Sequence, residues 1–228
     1  MEFFNNSVFF GVMLSLLAYG IGALLKQKFK LAIFNPLLIS VIIVIAVLAV
    51  SGIDYKVYNE GAKYISYLLT ATICLAIPLY EQFELLKSNW KAIAVGIFSG
   101  VLASLGSILA MAVLFGFTHQ EYVSFLPKSI TTAIGMGVSE ELGGYVSITV
   151  AIIVLTGVLG NMCAESVCKL FKIEEPIAKG IAIGTASHAI GTSKAMELGD
   201  IEGAMSSLSI VVSGLITVIG ASVFAQFM

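Results

Sequence analysis

The chain has 228 residues, of which 58% are hydrophobic and only 11% are charged. A soluble domain carries about 45–50% apolar and about 25% charged residues, so the composition excludes a water-soluble globule and a disordered chain. The net charge is −2 and all 12 cationic residues are Lys. This excludes a basic surface for nucleic acid and leaves any anion site without an Arg side chain. We therefore expect an all-α polytopic membrane protein that forms a single membrane domain, residues 1–228.

Six uncharged stretches approach or exceed the length of about 20 residues that a transmembrane helix needs. They are Phe3–Leu25, Leu31–Ile53, Tyr64–Tyr80, Ala92–Thr118, Leu142–Ala164 and Gly203–Met228. Two other apolar stretches, Pro127–Glu141 and Pro176–Leu198, are too short or too polar to be ordinary spans. We predict about six full transmembrane helices and two broken or re-entrant segments. Residues 1–126 would form a scaffold, and residues 127–228 a substrate-binding inverted repeat of a transporter-like kind.

The distribution of Lys predicts the orientation. The basic loop at residues 26–30 is expected in the cytoplasm, which places the N-terminus outside. Met1–Leu25 lacks the basic n-region of a signal peptide, so we interpret it as a first span. If both broken stretches dip into the membrane and return, nine of the 12 Lys lie inside. If both cross fully, the Lys divide equally, so the distribution favours two re-entrant segments.

The two broken stretches resemble each other at an offset of 56 residues. Ala133-Ile134-Gly135 recurs as Ala189-Ile190-Gly191, and Glu141-Leu142-Gly143 recurs as Glu197-Leu198-Gly199. In the predicted topology the first copy enters from outside and the second from the cytoplasm. Such pairs of Gly-interrupted segments indicate the midplane binding site of a transporter. The alternative is a chance similarity among residue types that are common in this chain.

Polar side chains accompany both interruptions, where unwound backbone N–H groups attract carboxylates. The candidate substrate-binding residues are Thr131, Thr132, Thr185, Ser187, His188, Thr192, Ser193 and Lys194. His188 would orient a carboxylate or exchange a proton, because histidine titrates near neutral pH. Glu140 and Glu141 are further candidates for proton coupling. The alternatives are close helix packing for the hydroxyls, a satisfied core histidine for His188, and interfacial solvation for Lys194 and the two Glu.

Metal and enzyme sites have little support in the sequence. Three Cys and two His lack the spacing of a zinc site, and the sequence contains no phosphate-binding loop or nucleophile motif. Ser187 and His188 are adjacent, which on a helix points their side chains about 100° apart. We expect no metal, no cofactor and no enzymatic activity.

Three motifs carry a resemblance to a known family: Pro127–Thr132 (PKSITT), Gly184–Thr192 (GTASHAIGT) and Glu202–Leu208 (EGAMSSL). They closely resemble the LrgB/CidB family, and Asn35–Ile39 and Ala76–Tyr80 are similar to its first-half motifs. The family is named antiholin-like and is linked to control of murein hydrolase activity and autolysis, alongside a small holin-like partner (LrgA/CidA). A plastid relative is a glycolate/glycerate translocator, and bacterial relatives are associated with pyruvate uptake.

Two hypotheses follow from the residues and the resemblance together. The first is a secondary transporter of a small monocarboxylate, of the pyruvate, glycolate or glycerate class, that binds between the two interrupted helices. The alternative is an antiholin-like modulator of murein hydrolase export and autolysis that assembles with a holin-like partner. Either would be a multi-pass protein of a bacterial cytoplasmic (inner) membrane, in contact with lipid and a candidate homo-oligomer.

Overall fold

The computed structural model describes residues 9–29, 34–65 and 76–228, and all the regular structure in these ranges is helical. The chain divides into two compact units, Met1–Cys74 and Leu75–Met228. The predicted division at residue 126 stays a prediction. Most of the predicted span Tyr64–Tyr80 lies outside the described residues.

Ten α-helices lie within the described ranges. In the first unit they are α1 (Phe10–Phe29), α2 (Pro36–Ser51) and α3 (Tyr55–Ala62). In the second they are α4 (Ala76–Glu81), α5 (Phe83–Phe115), α6 (His119–Phe125), α7 (Thr132–Glu141), α8 (Val146–Leu170), α9 (Pro176–Leu198) and α10 (Asp200–Phe224), followed by the 3₁₀ turn Ala225–Phe227. By length and composition, α1, α5, α8 and α10 with its 3₁₀ turn can cross a membrane, and α2 is a shorter apolar helix. The fold is that of a polytopic membrane protein.

The first unit is held together by close backbone approaches. A side chain at Gly22 of α1 would collide with Pro36, the first residue of α2, whose carbonyl oxygen lies 2.7 Å from the Cβ position. The carboxamide oxygen of Asn35 caps α2 by accepting from the backbone N–H of Leu37 at 2.8 Å. Gly52 ends the same helix in the left-handed conformation, at φ 64°, which glycine adopts without steric cost.

The long helix α5 supports the second unit. Its buried residues recur every three or four positions and so form one stripe along the helix: Ile93, Ile97, Val101, Leu105, Ile108 and Ala112. Large apolar side chains such as Phe98 and Leu114 lie exposed on the remaining surface. This surface has the composition expected of a helix that faces lipid.

Helix α9 is broken at His188, whose backbone is non-helical at φ 42° and ψ −143°. On the near side of the break, Gly180 lies against Met205 of α10, and on the far side Met196 lies against Gly203 of the same helix. In a straight helix residues 180 and 196 would be about 24 Å apart, too far to contact the same turn of α10. The chain therefore reverses at His188, and Pro176–Leu198 forms a re-entrant hairpin, called hairpin 2 below.

Residues 119–141 form a matching hairpin, hairpin 1, from α6, a loop and α7. Its two arms converge on Thr149, whose hydroxyl lies 2.9 Å from the carbonyl oxygen of Ser124 and 2.7 Å from the hydroxyl of Ser139. The first arm begins at His119, before the predicted start at Pro127. The sequence of α6 is too polar to be predicted as part of a membrane segment, although its Tyr122 and Ser124 are buried.

The two hairpins are structural equivalents at the offset of 56 residues. The Cβ position of Gly135 lies 3.6 Å from Cβ of Pro127, and that of Gly191 lies 3.1 Å from Cγ2 of Ile183. These are corresponding residues of the two copies. Each hairpin also leads into a helix of 25 residues, α8 in the first copy and α10 in the second. The internal repeat is therefore a property of the fold and not only of composition.

The hairpins are inverted with respect to each other. Hairpin 1 joins the beginning of α8 and hairpin 2 follows its end, and a helix of 25 residues is about 37 Å long. Both hairpins reach inward to Ile153, because Gly135 lies against its side chain and His188 bonds its backbone carbonyl. The structure thus has the two opposed re-entrant segments that the sequence predicts.

Candidate functional site

His188 forms the tip of hairpin 2 and is held against α8. The residue is 3% exposed, and Nε2 lies 3.0 Å from the carbonyl oxygen of Ile153. A carbonyl only accepts, so Nε2 carries the proton of this hydrogen bond. The ring fits because Gly157 has no side chain: a Cβ there would lie 2.7 Å from Cε1 of His188.

A second glycine of α8 makes room for the neighbouring serine. Any side chain at Gly160 would collide with both Cβ and Oγ of Ser187. Gly157 and Gly160 lie on one face of α8 because three residues are nearly one helical turn. This glycine face lets the reversed backbone of hairpin 2 approach α8 closely.

The second arm of hairpin 2 is fixed by hydrogen bonds to protein groups. The side chain of Asn161 donates to the carbonyl oxygen of Ile190 at 2.8 Å and to the hydroxyl of Ser193 at 3.0 Å. Thr192 donates to the carbonyl oxygen of His188 at 3.0 Å, and its Oγ1 lies 2.7 Å from Oγ of Ser206. These hydroxyls maintain the shape of the hairpin.

Lys194 lies at the open end of the same hairpin, and carboxylates balance its charge. Its Nζ lies 3.4 Å from Glu165 of α8 and 3.3 Å from Glu197, and its side chain is 21% exposed. The ammonium group therefore has two anionic partners within the protein.

A cavity of about 810 Å³ lies on the opposite side of hairpin 2, between its first arm, α5 and the tip of hairpin 1. Its volume falls in the range of about 300–1,000 Å³ that is typical of ligand sites. Polar groups of three elements meet there: Ser104 of α5, Lys128 and Ser129 of hairpin 1, and Thr185 of hairpin 2. The cavity is therefore the place where the two copies of the repeat and the long helix face each other.

The structure places the predicted site residues in different parts of the two hairpins. Thr185 lines the cavity. Ser187, His188 and Thr192 are buried outside the cavity lining, while Ser193 and Lys194 lie on the second arm. Thr131 precedes α7 without capping it through its side chain, and Thr132 begins that helix. Glu140 and Glu141 are exposed at the end of α7, and their predicted role in proton coupling stays a prediction.

Lys128, Ser129, Ser104 and Asn161 are absent from the predicted set. The predicted topology places Lys128 on the outer side of the membrane, at the start of the broken stretch Pro127–Glu141, yet the residue lines the cavity. The repeat could have identified Ser129, because the offset of 56 residues aligns it with the predicted site residue Thr185. In the part of the chain that the structure describes, no three His, Cys, Asp or Glu residues are grouped to hold a metal ion.

Opposed hairpins that border a common cavity define a polytopic α-helical membrane protein of transporter-like architecture. The LrgB-like family pattern matches residues 15–227, and the chain belongs to this family. Proteins named "Antiholin-like protein LrgB" from Bacillus mycoides (strain KBAB4), Bacillus cereus (strain B4264) and Bacillus anthracis (strain CDC 684 / NRRL 3495) are each 38% identical over 221 residues, which cover 96% of this chain and 96% of theirs. No solved structure matches the chain.

Proposed function

We propose that this chain has an antiholin-like function in a bacterial cytoplasmic membrane, where it acts with a holin-like partner to restrain murein hydrolase export and autolysis. The support is the name of relatives that are 38% identical over 96% of the chain. Gly96 and Gly100 of α5 already face Ile181 and Thr185 of α9, whereas Gly106 has open space beside it. A partner helix would therefore have to use the outer surface of α5 near Gly106.

We also propose that the second unit carries a small monocarboxylate, of the pyruvate, glycolate or glycerate class, across the membrane. The observation that supports this proposal is the cavity between the tip of hairpin 1, the first arm of hairpin 2 and α5. Irregular backbone at membrane depth is tolerated where it lines a cavity or is buried in protein. Movement of the hairpins relative to α5 would then expose the cavity alternately to the two sides.

Uptake of labelled pyruvate or glycolate into proteoliposomes tests the transport proposal. We expect uptake by the wild type and at least a severalfold loss in His188→Ala, because the imidazole holds the tip of hairpin 2 against Ile153. His119→Ala is the matched control, since His119 lies exposed on α6 and should leave uptake unchanged. Absence of uptake of any monocarboxylate by folded wild-type protein would reject a transport function.

Co-expression with a holin-like partner tests the antiholin-like function. We expect the wild type to reduce released murein hydrolase activity and lysis of the culture. His188→Ala separates the two proposals, because a purely structural modulator would still restrain lysis when transport is lost. Unchanged lysis in the presence of folded wild-type protein would contradict the antiholin-like role.

A further inference from the structure

Two hydroxyl-bearing residues from corresponding positions of the repeat line the cavity. Ser129 and Thr185 are 56 residues apart, the offset that relates the two hairpins, and both line the cavity. The hydroxyl oxygen of Ser129 lies 3.2 Å from that of Ser104 and 3.0 Å from Nζ of Lys128. Hairpin 1 thus contributes an ammonium group and a hydroxyl, and hairpin 2 contributes a second hydroxyl.

Thr185 has an unused hydrogen-bonding group at this place. The residue is 4% exposed, and its Oγ1 makes no hydrogen bond within the described ranges of the chain. Gly100 of α5 admits the threonine methyl group, because a Cβ there would lie 2.8 Å from Cγ2 of Thr185. A buried hydroxyl without a partner is unfavourable. Thr185 lines the cavity, and a ligand bound there is the partner that we infer for its hydroxyl group.

Lys128 lines the same cavity and has an unbalanced charge. Among the ion pairs of the described residues none includes Lys128, whereas Lys194 is paired with both Glu165 and Glu197. Glu175 also lines the cavity, but it lies just before α9, ten residues before Thr185 and about 15 Å from it along the helix axis. A half-buried ammonium group without a carboxylate favours a bound anion.

We propose that Lys128 is the counter-ion of the bound substrate and that Ser129 and Thr185 donate hydrogen bonds to its carboxylate oxygens. This inference rests on the proposed transport function and assigns its binding site to the cavity. One unpaired ammonium group balances one negative charge. The site therefore favours monocarboxylates over dicarboxylates, whose second carboxylate would be left without a cationic partner.

Calorimetric titration of the purified full chain in detergent tests the assignment, with pyruvate as the monocarboxylate and succinate as the dicarboxylate. We expect Lys128→Met to weaken pyruvate binding about ten- to a hundredfold, the usual effect of losing a charge-assisted hydrogen bond. Lys128→Arg should keep most of the affinity because it keeps the charge. Lys179→Met removes a Lys of α9 that does not line the cavity and should bind as the wild type does.

Thermal unfolding of each variant shows whether it is folded, and Lys128→Arg provides a second folded comparison. Wild-type uptake together with unchanged pyruvate binding in folded Lys128→Met would overturn this inference and leave the transport proposal intact. Equal affinity for succinate and pyruvate would overturn the preference for a single charge. Failure of the folded wild type both to bind and to take up monocarboxylates would reject the transport function itself.

Discussion

The two sides of hairpin 2 differ in how their polar groups are satisfied. On the side that faces α8 and α10, His188 bonds Ile153, and Thr192 bonds both the backbone of His188 and Ser206. On the cavity side, Thr185 Oγ1 has no partner in the described part of the chain. Satisfied buried groups hold a structure in one conformation, and unsatisfied ones are available to a ligand. The difference supports the proposal that α8 and α10 position the hairpin and that the cavity is the binding site.

The two Lys residues near the hairpins differ in the same way. Lys194 lies between two carboxylates at the open end of hairpin 2, and Lys128 bonds the neutral hydroxyl of Ser129. Both carry the same charge, but only Lys128 faces the cavity. The proposed site therefore follows from the pairing of the charge and not from proximity to a conspicuous sequence motif.

Crowding the glycine face of α8 should have the largest effect. We expect Gly160→Ala to lower the free energy of unfolding by about 1–3 kcal/mol, because the new Cβ would collide with Ser187 at the hairpin tip. Thermal unfolding in detergent measures the loss. Gly106→Ala is the matched control: it introduces the same methyl group into α5, where no atom lies within 4 Å.

The control should be neutral or stabilising by up to about 1 kcal/mol, since alanine favours helix more than glycine does. Equal stabilities of the two variants would mean that α8 does not hold the tip in the observed position. The comparison between a supporting side and a binding side would then fail.

Paired Thr→Val substitutions should separate stability from binding. Thr192→Val removes a hydroxyl that bonds Ser206 and the backbone of His188, and we expect it to cost about 1–2 kcal/mol. Thr185→Val removes a hydroxyl without a partner among the described residues. We expect this variant to be as stable as the wild type but to bind pyruvate more weakly. Thermal unfolding and pyruvate titration of both variants make the comparison.

The reverse pattern, a destabilised Thr185→Val that binds normally, would show that the Thr185 hydroxyl is structural. A Thr192→Val variant with unchanged stability would show that the bonds to Ser206 and His188 contribute little. The first result would contradict a binding role for the cavity side of hairpin 2, and the second would contradict a structural role for the side that faces α8 and α10.

The sequence predicts spans better than it predicts helix ends. The span Ala92–Thr118 corresponds to α5, but the helix begins at Phe83 and includes Lys87 and Lys91. Charge marks where a chain leaves lipid, whereas a helix continues as long as its backbone hydrogen bonds are made. The predicted span Leu142–Ala164 overlaps α8 (Val146–Leu170) but is displaced toward the N-terminus. The helix continues beyond Ala164 for the same reason, since it includes the charged residues Glu165 and Lys169.

The repeat could be recognised from its sequence because glycine and polar residues recur at a fixed offset, but the residues of the proposed binding site could be recognised only in part. Thr185 and Thr192 are the same residue type on the same helix, and only their partners in space distinguish them. Lys128 is ambiguous for a similar reason, because a charge beside Pro127 is typical of a loop. The reversal at His188 brings these distant segments together, and no local pattern encodes that contact.

Substitutions of His188, where the chain reverses, should have a smaller effect on stability, and its size should depend on whether the new residue has a Cβ. His188 adopts φ 42° and ψ −143°, a conformation that glycine reaches far more easily than other residues. His188→Gly and His188→Ala both lose the bond to Ile153, but only alanine keeps the steric cost of a Cβ. We therefore expect the glycine variant to be more stable than the alanine variant by about 1 kcal/mol, measured by thermal unfolding. An alanine variant of equal or greater stability would contradict a sharp reversal at this residue, and hence the separation of hairpin 2 into two arms with different roles.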